Sequence, residues 1–330
     1  MIDKAKIVGT GLYLPEKILT NSDLEKMVET SDEWIVSRTG MKERRIAAAE
    51  EYSSHMGAAA ARLAIENAGL SIDQIDLIIV ATLSPDYTFP STACLIQQML
   101  GAKKIPSFDI QAACSGYLYA LSVAKAFVEN GAYRHVLIVA SEKLSAIIDY
   151  TDRSTCVLFG DGAAACVVST QGSGLAIRSV RLGADGEQAH LLMMPAGGCR
   201  QPASAETVAA GLHFIKMAGN EVFKHAVRRM ELACKECLEE AGVPEQDISW
   251  VVPHQANIRI IDAIAKRFNH LPADRVFKTV QKYGNTSASS IGIALHELKE
   301  GKSLQPGEKI LLTAFGAGLT WGAALLEVTA

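Results

Sequence analysis

The sequence predicts an α/β fold built from two copies of one domain. Segment 65–80 (Ile-Glu-Asn-Ala-Gly-Leu-Ser-Ile-Asp-Gln-Ile-Asp-Leu-Ile-Ile-Val) aligns without a gap to segment 238–253 (Leu-Glu-Glu-Ala-Gly-Val-Pro-Glu-Gln-Asp-Ile-Ser-Trp-Val-Val-Pro). Each reads as a helix end, a glycine stop, a loop and a buried strand. A repeat of such long period means a duplicated domain and not a solenoid of short units. Apolar runs of strand length also alternate with helix-period stretches in both halves, which predicts largely parallel sheets covered by helices. The chain has 330 residues, 49% of them hydrophobic, enough for a large core and two domains.

Along the first half, residues 65–80 give a helix end and strand. The apolar run 105–113 gives the next strand and leads to Cys114-Ser-Gly-Tyr, a tight strand-to-helix turn with a helical pattern beyond Tyr117. Residues 133–140 form a further buried strand. Leu158-Phe-Gly-Asp-Gly-Ala-Ala-Ala is a glycine turn entering a small-residue strand; it matches neither the dinucleotide fingerprint nor the Walker motif, and reads as tight packing. Periodicity is lost at 168–178, which places the division between 1–172 and 173–330.

In the second half, residues 228–240 read as an amphipathic helix containing Cys234 and Cys237. This lone Cys-x-x-Cys has no second pair at metal-finger spacing. Residues 250–253 repeat the strand at 77–80, Cys114 falls opposite Ser287, and a helix starts near Ser290. Residues 307–314 match 133–140 with one extra residue. Thr313-Ala-Phe-Gly-Ala-Gly-Leu-Thr-Trp-Gly322 is a glycine-rich turn after an apolar strand.

Composition excludes several classes. A net charge of −4 argues against a general nucleic-acid binder. No apolar segment is long enough to span a membrane, and the N-terminus carries no signal-peptide stretch. Seven cysteines, an odd number, fit free thiols in a reducing compartment, so the expected location is the cytoplasm.

The chemistry centres on three residues. Cys114 has two readings, a buried small hydrophobe or a nucleophile whose thiolate is favoured by the unpaired N–H groups of a helix N-terminus. His254, just beyond an apolar run, is suited to proton transfer near neutrality, and Asn285, in a Gly/Ser-rich turn, offers an NH₂ donor that cannot lose its proton. Together they fit covalent chemistry on an acyl carbonyl. Because the halves contribute separately, the site belongs at their interface. Trp34, with Arg38, Arg153 and Arg259, reads either as packing or as a holder for an adenine ring and its phosphates. Lys224, Lys266 and Arg267 read as solvated charges unless an acidic carrier protein docks there.

Thr30-Ser-Asp-Glu-Trp-Ile-Val-Ser-Arg-Thr-Gly40, Ala112-Ala-Cys-Ser-Gly116, Val252-Pro-His-Gln-Ala-Asn257, Tyr283-Gly-Asn-Thr-Ser-Ala288 and Phe315-Gly-Ala-Gly-Leu-Thr-Trp-Gly322 closely resemble the beta-ketoacyl-acyl-carrier-protein synthase III family over nearly the whole chain. The resemblance implies the thiolase fold, with two related halves in five alternating layers, and a homodimer. It implies that Cys114 accepts the acyl group, and that His254 and Asn285 stabilise the enolate of a malonyl thioester. The backbone N–H groups of Cys114 and Ala317 would form the oxyanion hole. Trp34, Arg38, Arg153, Asn257 and Arg259 match the coenzyme A entrance and tunnel, and Phe89 matches a position in or near the acyl pocket, where the resemblance also implies contact with the partner subunit's site. Lys224, Arg259, Lys266 and Arg267 match a docking region for acyl carrier protein. The implied reaction joins a short acyl-CoA to malonyl-acyl carrier protein with loss of carbon dioxide, initiating type II fatty-acid synthesis. It uses no metal or redox cofactor, coenzyme A thioester being a substrate. Ala317 departs from the usual glycine, which leaves the local dihedrals open. A same-fold secondary-metabolite acyltransferase and a cysteine hydrolase are the alternatives.

Overall fold

The computed structural model describes residues 4–330. The first half supplies β1 (Lys6–Tyr13), β2 (Leu77–Ala81), β3 (Ser107–Ile110), β4 (His135–Glu142) and β5 (Gly162–Ser169). The second supplies β6 (Leu175–Ala184), β7 (Trp250–Pro253), β8 (Lys309–Gly316) and β9 (Thr320–Val328). They form a nine-stranded sheet in the order β7-β8-β9-β6-β1-β5-β4-β2-β3. Outward from the β1–β6 junction, one wing runs β1, β5, β4, β2, β3. The other runs β6, β9, β8, β7 and ends on a parallel bridge from Val251 to Val276. The strand senses match as well: antiparallel, antiparallel, parallel, parallel in each wing. The junction itself is narrow, pairing Lys6 with Ala176 and Ile7 with Leu175.

The expectation of largely parallel sheets needs correction, because the sheet is mixed. The parallel pairs lie on the outer part of each wing, where helices connect the paired strands. Between β8 and β9 lies only the short turn Ala317–Leu319, and between β4 and β5 only the short helical turns Leu144–Ile147 and Arg153–Cys156. A chain without a long crossover returns antiparallel.

Seven longer helices complete the layers: α1 (Asp32–Thr39), α2 (Ser53–Asn67), α3 (Thr92–Leu100), α4 (Gly116–Glu129), α5 (Gly219–Ala241), α6 (Ile258–Arg267) and α7 (Ser289–Gly301). Strand alternation decides which face each residue serves. Ile79 and Ile138 from one wing, and Val252 and Leu312 from the other, share a single core with Leu121 of α4 and Leu295 of α7. Their neighbours Ile78 and Val139 face outward beneath α2 and α3. Val251 and Leu311 face outward beneath α5 and α6. The two wings therefore enclose α4 and α7 and are covered outside by helices, which is the five-layered thiolase fold. Cys234 and Cys237 are buried in α5 against the second wing. No helix among the described residues is long and apolar enough to cross a membrane.

Helix α2 lies unusually close to β1. Its small residues Ala60 and Ala64 face Gly11 and Gly9, where a Cβ would come within 2.3 Å of Ala60 O and Ala64 O respectively. Backbone cannot yield as a flexible side chain can. Gly11→Ala is therefore expected to lower stability by about 1–3 kcal/mol, the usual cost of overpacking. Chemical denaturation checks this, and an unchanged midpoint with unchanged slope would contradict the close-packing account.

Candidate active site

The thiol is placed by a turn that both halves hold. After β3 the chain reaches Ala113, which has a left-handed φ of 45°, and Cys114 sits in the single turn Ala113–Ser115 that feeds α4. The turn linking β8 to β9 braces it from the other half. Thr320 Oγ1 donates to Ala112 O at 2.9 Å, and Ser115 Oγ donates to Thr320 O at 3.1 Å. Contact is so tight that a Cβ on Gly316 would lie 2.7 Å from Cys114 N. Ala317 follows in that turn. The left-handed conformations there belong to Gly318 and Leu319, so the Ala317 methyl is carried without strain of that kind.

His254 ends β7. Its backbone N–H donates to Thr313 O at 2.7 Å, and its Nδ1 lies 2.6 Å from Ser290 Oγ at the start of α7. Gln255 ties this strand end to the next segment, because its Oε1 accepts from Thr279 N and Val280 N at 2.8 and 3.1 Å. Asn285 is fixed across the halves: its N–H donates to Leu158 O at 2.8 Å, and its carbonyl accepts from Gly160 N at 3.0 Å. Its side-chain Oδ1 accepts from Ser287 N at 2.8 Å. With Oδ1 so engaged, the NH₂ is the group left for a ligand.

Cys114, His254 and Asn285 line one cavity of about 320 Å³, together with Trp34, Arg38, Asn257 and Arg259. Residues named from distant parts of the sequence thus meet at the junction of the halves. Asn257 also caps α6, its Oδ1 accepting from Arg259 N at 2.8 Å. Ser31 caps α1 by accepting from Trp34 N at 3.1 Å, which fixes the indole at the cavity. The Arg153 guanidinium lies 4.8 Å from the Trp34 ring centre, and that of Arg259 lies 5.5 Å from Phe223. Lys224 and Lys266 are exposed. Lys224 pairs with Glu221 at 2.7 Å and Arg267 with Glu245 at 2.9 Å, so those charges are partly neutralised. Phe89 lies apart from these residues. It does not line the cavity of its own chain: the loop between β2 and α3 carries it outward, 83% exposed, near the exposed Tyr87.

Burial reverses the expected ionisation. The Cys114 thiol, expected to be acidified by the helix N-terminus, is pushed up to about 12 by desolvation, with the buried Glu142 carboxyl adding to the rise. His254, expected to titrate near neutrality, is pushed down to about 3 by desolvation, so its imidazole is neutral. The reaction centre consequently presents neutral donors and a protonated thiol.

Three participants escaped the sequence reading. Phe315 lines the cavity and Ser290 holds His254. Glu142, fully buried at the end of β4, accepts from Ser84 Oγ at 2.6 Å, Leu83 N at 3.1 Å, and Thr82 Oγ1 and Ser84 N at 3.2 Å. Its one signal was a carboxylate closing the otherwise apolar run His135-Val-Leu-Ile-Val-Ala-Ser-Glu142.

His254 gives the site a testable signature. Its folded pKa lies below the ordinary 6.5, so the unfolded chain takes up a proton that the folded chain refuses. That contribution to stability is present above pH 6.5 and is lost progressively as pH falls toward about 3. Nitrogen NMR of histidine-labelled protein is expected to show His254 neutral throughout pH 5–8. A midpoint near 6.5 would overturn this assignment.

Comparison with known proteins gives a consistent result. The family described as 3-Oxoacyl-[acyl-carrier-protein (ACP)] synthase III matches residues 108–186, and its C-terminal counterpart matches residues 238–328. The chain is 64% identical over 327 residues to a beta-ketoacyl-[acyl-carrier-protein] synthase III of Chlamydia caviae, covering 99% of this chain and 97% of that one. It is 62% identical over 325 residues to that of Chlamydia pneumoniae, covering 98% and 97%. The crystal structure of 3-oxoacyl-[acyl-carrier-protein] synthase III from Aquifex aeolicus superposes with a TM-score of 0.90 at 51% identity, covering 98% of this chain and 99% of that one. Full-length identity of this level, on the same fold, places the chain in the beta-ketoacyl-[acyl-carrier-protein] synthase III family.

Proposed function

We propose that this chain condenses a short acyl-CoA primer with malonyl-acyl carrier protein, releasing carbon dioxide and forming the beta-ketoacyl-acyl carrier protein that starts fatty-acid synthesis. The observation that carries the residue assignments is the single cavity joining Cys114, His254 and Asn285 to Trp34 and Arg38. Trp34 and Arg153 offer an aromatic face and a cation for the nucleotide end of coenzyme A, with Arg38, Asn257 and Arg259 along its path.

Cys114 Sγ attacks the thioester carbonyl, and the backbone N–H groups of Cys114 and Ala317 receive the oxyanion. The carbon–sulfur bond to coenzyme A breaks, leaving an acyl-enzyme. In the second stage His254 and Asn285 donate to the malonyl thioester carbonyl as carbon dioxide leaves. In this scheme the Ser290 hydroxyl, 2.6 Å from His254 Nδ1, acts as the donor, which leaves the ring hydrogen on Nε2 to face the substrate. Two uncharged donors stabilise the enolate without giving it a proton, which keeps it nucleophilic toward acyl-Cys114.

Coenzyme A thioester is a substrate here, and no metal or redox group enters the scheme. Lys224, Arg259, Lys266 and Arg267 provide a cationic approach for an acidic carrier protein. The exposed Phe89 fits a homodimer in which the loop reaches the partner subunit's pocket, and the proposed location is the cytoplasm.

Incubation with acyl-CoA alone is expected to add one acyl group at Cys114, detectable by intact mass and peptide mapping. Cys114→Ala abolishes this half-reaction. Acylation of a different cysteine, with Cys114 unmodified, would sink the assignment. Asn285→Ala is expected to slow malonyl decarboxylation by about 100-fold, the usual cost of removing one such donor, while acylation changes far less. Equal losses in both half-reactions of a folded variant would remove its selective role.

A further inference from the structure

The turn that carries Ala317 holds an unfavourable backbone. Gly318 has a φ of 71° and Leu319 a φ of 43°, the second in a region that disfavours a residue with a Cβ. Such a turn keeps its shape only where surrounding contacts over-determine it. One set of contacts is the brace beside the thiol. Thr320 Oγ1 lies 2.9 Å from Ala112 O and 3.2 Å from Ala317 O, and Ser115 Oγ donates to Thr320 O at 3.1 Å. A second set comes from residues that the mechanism has not used. Asp185, directly after β6, donates its backbone N–H to Leu319 O at 3.2 Å. Its carboxylate accepts from Arg229 of α5 at 2.9 Å. The Arg229 guanidinium lies 4.5 Å from the centre of the Trp321 ring, and Trp321 stands in β9 two residues past Leu319.

The indole is itself fixed. Trp321 pairs with Gly183 across β9 and β6, and a Cβ on Gly183 would lie 2.4 Å from the indole, so the ring fills the space a side chain would take. Tyr119 of α4 donates to Gly183 O at 2.9 Å, which ties the same point to the helix that begins beside Cys114. Arg229 thus joins both strands that flank the turn, β6 through Asp185 and β9 through Trp321. Arginine suits this place, because its planar guanidinium bonds a carboxylate at its edge while its face meets an aromatic ring. Both members of the ion pair are largely buried, where screening is weaker than at an open surface.

We propose that Arg229 is a positioning residue for the oxyanion hole: clamped to Asp185 and Trp321, it keeps the Ala317 N–H aimed at the carbonyl that Cys114 attacks. This assignment rests on the condensing reaction described above. There the Ala317 N–H receives the oxyanion when the thiol attacks acyl-CoA, and again when the enolate attacks acyl-Cys114. Arg229 does not line the cavity, although Ala226 and Met230 on either side of it in α5 do, so its effect passes through the turn. Malonyl decarboxylation draws instead on His254 and Asn285, which are held by Thr313, Ser290, Leu158 and Gly160. The two half-reactions therefore separate a role at the oxyanion hole from general support of the fold.

The test compares wild type, Arg229→Ala, Arg229→Lys and Asp185→Asn in three measurements: acylation of Cys114 by acyl-CoA, carbon dioxide release from malonyl-acyl carrier protein without primer, and alkylation of Cys114 by iodoacetamide. Arg229→Ala is expected to lower the maximal acylation rate by about 100-fold, the scale of a misplaced reacting group, with half-saturation by acyl-CoA unchanged. Carbon dioxide release and alkylation, which need no oxyanion donor at Ala317, stay at the wild-type rate. Asp185→Asn keeps the backbone N–H to Leu319 and is expected to show the same selective loss. Combined with Arg229→Ala it adds nothing further, because both remove one unit. Arg229→Lys keeps a cation for the carboxylate and the ring, and is expected to regain about 10-fold. Acylation at the wild-type rate in Arg229→Ala overturns the proposal. So does an equal loss in all three measurements, which marks general support, and so does a change confined to half-saturation, which marks contact with coenzyme A. If Arg229→Ala does not fold, Asp185→Asn decides by the same ratios. Backbone hydrogen exchange of segment 316–320, read by mass spectrometry, is expected to quicken in Arg229→Ala and reports the clamp without any reaction. Wild type that accepts no acyl-CoA would refute the proposed reaction, whereas unchanged exchange in the variant would refute the clamp.

Discussion

The brace between the two interdomain turns is the constraint on which the rest of the site depends. Gly316 leaves no room for a side chain against Cys114 N, and Thr320 and Ser115 exchange hydrogen bonds across the same gap. The nucleophile is therefore positioned by the half that does not carry it. Asn285 shows the reciprocal arrangement, since its backbone is paired with Leu158 and Gly160 of the first half. Neither half lines the whole cavity: Trp34, Arg38 and Cys114 come from the first, and His254, Asn257 and Asn285 from the second.

Closure also sets the electrostatics. Desolvation holds the thiol protonated and the imidazole neutral. A decarboxylating site benefits from this arrangement. A charged imidazolium would be a stronger acid toward the enolate and would quench it, whereas neutral N–H donors stabilise developing charge and keep their protons. The cost is an unactivated thiol, and the burial that creates this difficulty also raises the Glu142 carboxyl toward neutrality.

Much of this was legible in the sequence. The gapless repeat of 65–80 at 238–253 indicated duplicated halves, and the matching strand orders of the two wings have the same form. Cys114, His254 and Asn285 were legible because each lies in a short, contiguous motif, and the three line one cavity. What escaped was what tertiary contact creates. Strand direction at β5 and β9 depends on missing crossovers, which apolar periodicity does not encode. The burial that raises the Cys114 thiol and lowers the His254 imidazole was not legible, because a local helix N-terminus and an ordinary imidazole are visible in sequence while the depth of burial is not. Phe89 was placed by likeness alone, and the loop around it turns outward in the single chain.

The shared interior has a consequence for how such a protein can diverge. Leu121 and Leu295 belong to different repeats but pack into one core, against strands of both wings. A change of side-chain volume in either central helix is felt by both repeats at once, so the inner faces must drift together. The outer cores beneath α2 and α5 are separate from each other. They can drift independently, and the two copies are free to become dissimilar from the outside inward while the layer between them remains a common inheritance.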